Sequence, residues 1–167
     1  KVQQVQNFET TPLYKLPVEI DLYTSKGIEK KKVTITKQEE TFEFAVSEKP
    51  ALVNFDAQKM LICSKTDNHT PAEWVTLYQL APKYLDRYEA LSIIAKDYRP
   101  GTPEAEVMAK ALNDPHWNLR SLAIKNCENL IRSDSTGIKQ QLIQIAKTDK
   151  KSSVKVDAMN ILSDKYS

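Results

Sequence analysis

Two periodicities divide the chain. Over roughly the first 64 residues apolar and polar side chains alternate. Leu16, Val18, Ile20 and Leu22 stand between Pro17, Glu19, Asp21 and Tyr23, and a period of two is that of a strand with one buried face. Val33 and Ile35 repeat it between Lys32, Thr34 and Thr36, and Phe42, Phe44 and Val46 do so against Thr41, Glu43 and Ala45. Leu52-Val53-Asn54-Phe55 reads as a fourth strand, and Leu61-Ile62-Cys63 offers a fifth. Turn sequences separate them: Ser25-Lys26-Gly27, Gln38-Glu39-Glu40, Glu48-Lys49-Pro50 and Asp56-Ala57-Gln58-Lys59. Pro12 and Pro17 place the first strands at an edge, since a central strand needs the N–H that proline lacks. Short strands with no helical period between them predict an antiparallel sandwich over residues 1–65.

From Thr70 the period becomes that of a helix. Thr70-Pro71-Ala72-Glu73 is a capping box with proline at the first helical position. Helices are predicted from Thr70 to Leu80, Pro82 to Tyr98, Thr102 to Leu112, Asp114 to Ile131, Ile138 to Ala146 and Val154 to Leu162. The fourth is the clearest. Asp114 is its expected cap and Pro115 its first residue, and Leu119, Leu122, Ala123 and Cys127 are the expected centre of the helical core. Asp149, Val154, Lys155, Ala158 and Leu162 echo Asp114, Leu119, Arg120, Ala123 and Cys127 at a constant offset of 35 residues. Two helices in a period of that size mark a helical repeat. The fold class predicted is therefore β + α in two domains: a small antiparallel β-sandwich, then a HEAT-like repeat array over 70–167, about six helices in three hairpins. Arg87 and Arg120 each precede an alanine by three residues on the repeated helices, a place from which arginine is expected to pair with an aspartate of the neighbouring turn.

Composition adds little chemistry. Lys plus Arg is 24 and Asp plus Glu 22, too balanced to argue for a nucleic-acid partner. The run Lys30-Lys31-Lys32 reads as a solvated strand edge. Cys63 and Cys127 sit in apolar contexts and are expected as buried free thiols, which leaves the compartment open. No apolar run is long enough to span a bilayer. The chain opens on Lys1-Val2-Gln3-Gln4-Val5-Gln6 without a signal peptide, as a mature protein or an excised piece of a larger one would. His69 and His116 belong to no His-Glu-x-x-His and read as surface or capping residues. Trp74, Trp117, Tyr78, Tyr84, Tyr88 and Tyr98 form an aromatic set that helical spacing assigns to packing. No catalytic, cofactor-binding or metal-ligating residue is predicted.

Two stretches resemble a known family. Val2-Gln3-Gln4-Val5-Gln6-Asn7-Phe8, with Pro12-Leu13-Tyr14-Lys15-Leu16-Pro17-Val18-Glu19-Ile20, resembles the opening of the small β-sandwich that follows the catalytic domain in aminopeptidase N-like zinc metallopeptidases, the gluzincin aminopeptidases. Glu48-Lys49-Pro50 and Val53-Asn54-Phe55-Asp56 resemble that sandwich's closing strand. The resemblance implies a C-terminal, non-catalytic portion of such an enzyme. The catalytic zinc, its His-Glu-x-x-His ligands and the Gly-x-Met-Glu-Asn segment would belong to an upstream domain, and both motifs are absent here. In that enzyme zinc acts as Lewis acid and water activator, with the motif glutamate as general base. The partners implied are that upstream catalytic domain and the peptide substrate at its cleft, which the helical domain would cap. A catalytically dead relative serving as a protein-interaction scaffold is the alternative.

Overall fold

The computed structural model describes Lys1–Tyr166; the last residue of the predicted helical range, Ser167, lies outside the described residues. The chain is mixed, with strands first and helices after, and it divides into two compact units, Lys1–Asn68 and the residues from His69 onward.

The first unit contains β1 (Val2–Gln3), β2 (Leu16–Thr24), β3 (Gly27–Ile35), β4 (Glu39–Glu40) and β5 (Leu52–Phe55). They form two antiparallel sheets, one of β3-β2-β5 and one of β1 with β4. The β2–β3 hairpin turns at Gly27, whose φ of +121° suits glycine. Alternation along β2 places Val18, Ile20 and Leu22 in an apolar cluster with Ile35. On the other face of the sheet Asp21 stands opposite Asn54 and Tyr23 opposite Leu52, all four buried. The basic run lies on the edge strand β3, where Lys30 donates to Glu19 at 2.8 Å. That bond, then one from Gln58, holds the Glu19 carboxyl below its usual range.

Three strand expectations are corrected. Phe42, Phe44 and Val46 form no strand. Phe42 and Phe44 pack against the β2 cluster, so their alternation reflects side-chain packing without a ladder. Leu61-Ile62-Cys63 forms none either, because the amide of Leu61 is committed elsewhere. The Asp56 carboxylate accepts from Met60 N at 2.9 Å and Leu61 N at 3.1 Å, closing a tight turn in which Asp56 itself has φ 53°. Ile62 then points into solvent. Finally, β2 is the central strand of its sheet despite Pro17. β5 pairs with β2 only over Ile20–Tyr23, so Pro17, opposite Thr34 of β3, has a neighbour on one side alone and its missing N–H costs no ladder bond. The expected turn at Gln38-Glu39-Glu40 is in part the short strand β4.

Among the described residues the second unit holds seven helices: α1 (Pro71–Leu80), α2 (Tyr84–Ile94), α3 (Pro103–Ala111), α4 (Trp117–Lys125), α5 (Glu128–Ser133), α6 (Ser135–Thr148) and α7 (Ser152–Tyr166). Thr70 and Glu73 make the full capping box on α1. α1 packs on α2, α3 on α4 and α6 on α7; across these pairs α2 meets α4, α4 meets α7, and α1 meets α3. Among the described residues no helix is long and apolar enough to cross a membrane.

The extra helix comes from a break in the predicted Asp114–Ile131 segment. Asn126 bonds its side chain to the Leu122 carbonyl at 2.8 Å, the acceptor that its own N–H would use in a continuing helix, and that N–H turns to Ala123 O instead. The Tyr98 hydroxyl then takes the Asn126 carbonyl at 2.7 Å. The helix also starts later than predicted. His116, not Asp114, caps α4, its Nδ1 accepting from Asn118 N at 3.3 Å, while Asp114 accepts from His116 N at 2.8 Å. The expected core phase is off at one residue. Leu119, Ala123 and Cys127 are buried, but Leu122 is half-buried, and Ile124 and Ser121 are buried in its stead. α4 has neighbours on several sides, α2, α3 and α7, so its buried surface is wider than a single stripe.

Candidate functional site

The densest polar chemistry in the helical unit gathers on Asp114, which precedes α4. Its carboxylate accepts from the Tyr78 hydroxyl of α1 at 2.8 Å and from Arg87 of α2, so one buried side chain joins three segments. Burial raises the Tyr78 pKa, and the Arg87 charge opposes that rise. One layer on, Arg120 of α4 reaches Asp149, which precedes α7, through two bonds of 2.6 and 2.7 Å. The hydrogen bonds from Arg120 hold the Asp149 carboxyl below its usual range against the opposing effect of burial. Both pairs join an arginine three residues before an alanine to an aspartate of the next turn, as the spacing predicts. Open clefts of about 360 Å³ and 370 Å³ flank this framework, one beside Tyr78, Arg87 and Lys110 and the other beside Trp74, Tyr98 and Arg99. In the first, the arginine charge is already matched by Asp114.

The aromatic set separates into two groups. Trp74, Tyr78 and Tyr98 are core residues. Tyr88, Tyr84, His116 and Trp117 instead form a surface ladder: ring centroids lie 5.7 Å apart from Tyr88 to Tyr84, 4.0 Å from Tyr84 to His116 and 6.1 Å from His116 to Trp117. The ammonium of Lys151 sits 4.9 Å over the Trp117 ring, and Asn118 donates to the Tyr84 hydroxyl at 2.6 Å. The ladder follows the starts of α2 and α4, which helical spacing alone does not reveal, because the rings come from different layers.

Neither histidine stands in a ligand set. His69 meets the Trp74 ring edge-on at 4.6 Å, and His116 is spent as a cap. Cys127 is buried, which pushes its thiol up to about 11. Cys63, expected inside, is exposed, because it follows Ile62 on an irregular segment rather than a buried strand. Among the described residues no group of three or more His, Cys, Asp or Glu side chains is placed to hold a metal ion.

Several of these contacts escape the sequence. The Tyr98–Asn126 bond, the Ser121–Asp157 bond between α4 and α7 and the Lys151–Trp117 contact have no linear signature. Asp114 and Asp149 do have one, their equal place in the repeat. Comparison with protein-family models, with curated proteins and with solved structures finds no match.

Proposed function

We propose that this chain is a non-catalytic portion of a zinc-dependent aminopeptidase of the aminopeptidase N-like kind, a small β-sandwich followed by a HEAT-like array whose helices cap the cleft of an upstream catalytic domain. One observation carries most of the weight. The two stretches that resemble the family are far apart in sequence, yet they meet in one sheet, where Ile20, the last residue of the first, stands opposite Phe55 of the second. The aspartate that ends the second stretch, Asp56, is also the buried residue that closes the turn after β5. The layered pairing of helices, with matched Arg–Asp links, supports the HEAT-like reading. On this proposal zinc and its ligands lie upstream, and the present residues supply shape and closure.

The test is a pair of assays with an aminoacyl-anilide substrate. The full-length gene product should turn it over and lose that activity to a chelator, and the reading frame before Lys1 should encode His-Glu-x-x-His. A full-length product with a degenerate motif and no turnover favours the scaffold reading, in which the helical surface, with its exposed aromatic ladder, binds a protein.

A further inference from the structure

β3 is nine residues long and, among the described residues, has a strand neighbour on one side only. The bonds on the far side of β2 show which of its backbone groups face outward. Ala51 N donates to the Tyr23 carbonyl at 2.8 Å, and Ala57 N to the Glu19 carbonyl at 3.0 Å. The backbones of Tyr23 and Glu19 therefore turn away from β3. Bonded and non-bonded pairs alternate along an antiparallel ladder, so those of Pro17 and Asp21 turn away as well. Their partners on β3 are Ile28, Lys30, Lys32 and Thr34, and these four present N–H and C=O to the open side. Among the described residues no backbone group pairs with them there, and all four residues are exposed. The edge is thus a row of four donors and four acceptors that repeats about every 6.8 Å, two residues of extended chain.

Lysines line this edge. Lys26 lies in the hairpin turn, Lys30 and Lys32 in the outward row and Lys37 just past β3. Lys30 is held by Glu19 at 2.8 Å and Lys31, on the opposite face, by Glu29 at 3.1 Å; Lys32 makes no ion pair among the described residues. These charges deter a second copy. Two β3 strands joined edge to edge about Lys31 would set Lys30 of each opposite Lys32 of the other, and like charges directly opposite destabilise a sheet. The same charges favour an acidic strand. We propose that the open edge of β3 receives an extended acidic segment of another polypeptide, added to the sheet as a further strand. An extended chain meets donors and acceptors at this repeat, and its period of two brings alternate carboxylates beside Lys32 and Lys30. Main-chain bonds and two charges carry the recognition, so the partner is defined by glutamate or aspartate at alternate positions rather than by one sequence. The proposal stands apart from the aminopeptidase reading, and peptidase activity enters none of its readouts.

Amide hydrogen exchange, followed by NMR on the 167-residue chain, tests the edge directly. The probe is a blocked peptide of about eight residues, the length of a strand, with glutamate and valine alternating. It should slow exchange at Ile28, Lys30, Lys32 and Thr34 at least about tenfold and leave Glu29 and Lys31, whose amides face β2, unchanged. No binding at about 1 mM peptide overturns the proposal. Binding that leaves the four amides unprotected overturns it too. So does their protection without peptide, which would mean that the edge is already covered, by a second copy where the mass is that of a dimer. A peptide with lysine in place of glutamate should bind at least about tenfold more weakly, and equal binding overturns the acidic preference. An oligonucleotide of equal charge that binds more tightly assigns the lysines to phosphates and overturns the peptide reading. Lys32→Glu should weaken the acidic peptide about fivefold or more, and an unchanged affinity overturns the role of Lys32. Lys32→Pro, a substitution that an outward edge position tolerates, should abolish the peptide's protection of the other three amides while Glu29 and Lys31 stay protected. Undiminished protection in that variant overturns the added strand.

Discussion

The Arg120 guanidinium has four acceptors: both oxygens of Asp149 and the carbonyls of Asp114 and Pro115. Because two carbonyls remain when the carboxylate is removed, Asp149→Ala should cost about 3 kcal/mol, the low end of what stranding a buried charge costs. A denaturant melt measures it. The pH dependence follows from sign. The folded carboxyl lies below its unfolded value of about 4, so its contribution is complete above that pH and is lost as pH falls through the lowered folded value. Asp149→Asn should therefore flatten the acid limb of stability below about pH 4. At the other end, burial pushes the Tyr98 hydroxyl up to about 12. Its folded value is above the unfolded one of about 10, so its contribution is complete below about pH 10 and is lost as pH rises toward the folded value. Tyr98→Phe should lessen that alkaline loss, read as a shallower fall in melting temperature. The thiols give a simpler check. A thiol reagent should find Cys63 in the native chain and Cys127 only after denaturation, because Cys127 is buried and its thiolate disfavoured.

At the scale of elements, helix period and capping chemistry were legible where local bonds decide. Thr70–Glu73 and Thr102 cap as the sequence predicts, since the partners are three residues away. Prediction failed where a distant group took over. Nothing near Asn126 in sequence reveals that Tyr98 will hold its carbonyl, so an unbroken helix was expected. Phe42 and Phe44 satisfy a strand's alternation by packing on β2 with no ladder. The phase of α4 is the same lesson. Leu122 fits the apolar stripe by spacing, yet Ile124 is the fully buried residue, because α7 covers a side that the stripe leaves out. Ile124→Ala should thus cost about 2–5 kcal/mol through the cavity it leaves, and Leu122→Ala clearly less. Equal costs in a denaturant melt would mean that α4 is rotated from the position described.

For the whole molecule, the change of period near Thr70 was readable because the two kinds of element use incompatible hydrophobic spacings. The aromatic ladder was not readable in this way, since its rings come from separate layers. The change of period also bears on how the chain can be cut. Between Cys63 and Thr70 the backbone has no regular structure, and its one basic residue is Lys65, paired with Asp67. Arg99–Thr102, between α2 and α3, is instead a tight turn in which Thr102 Oγ1 donates to the Arg99 carbonyl at 2.8 Å. A protease needs several residues of extended backbone, which the first stretch can supply with little unfolding and the second cannot. Trypsin should therefore cut first after Lys65. The helical fragment should then keep its helix signal and melt cooperatively, because the Arg87–Asp114 and Arg120–Asp149 pairs and the Tyr98–Asn126 bond all lie within it. The β fragment keeps the cluster of Val18, Ile20, Leu22 and Ile35, but a core that small in about 65 residues leaves little margin, so it should be degraded sooner. First cleavage inside α2 or α4, or a helical fragment that unfolds without a transition, would show that the helical unit does not hold itself together through these links.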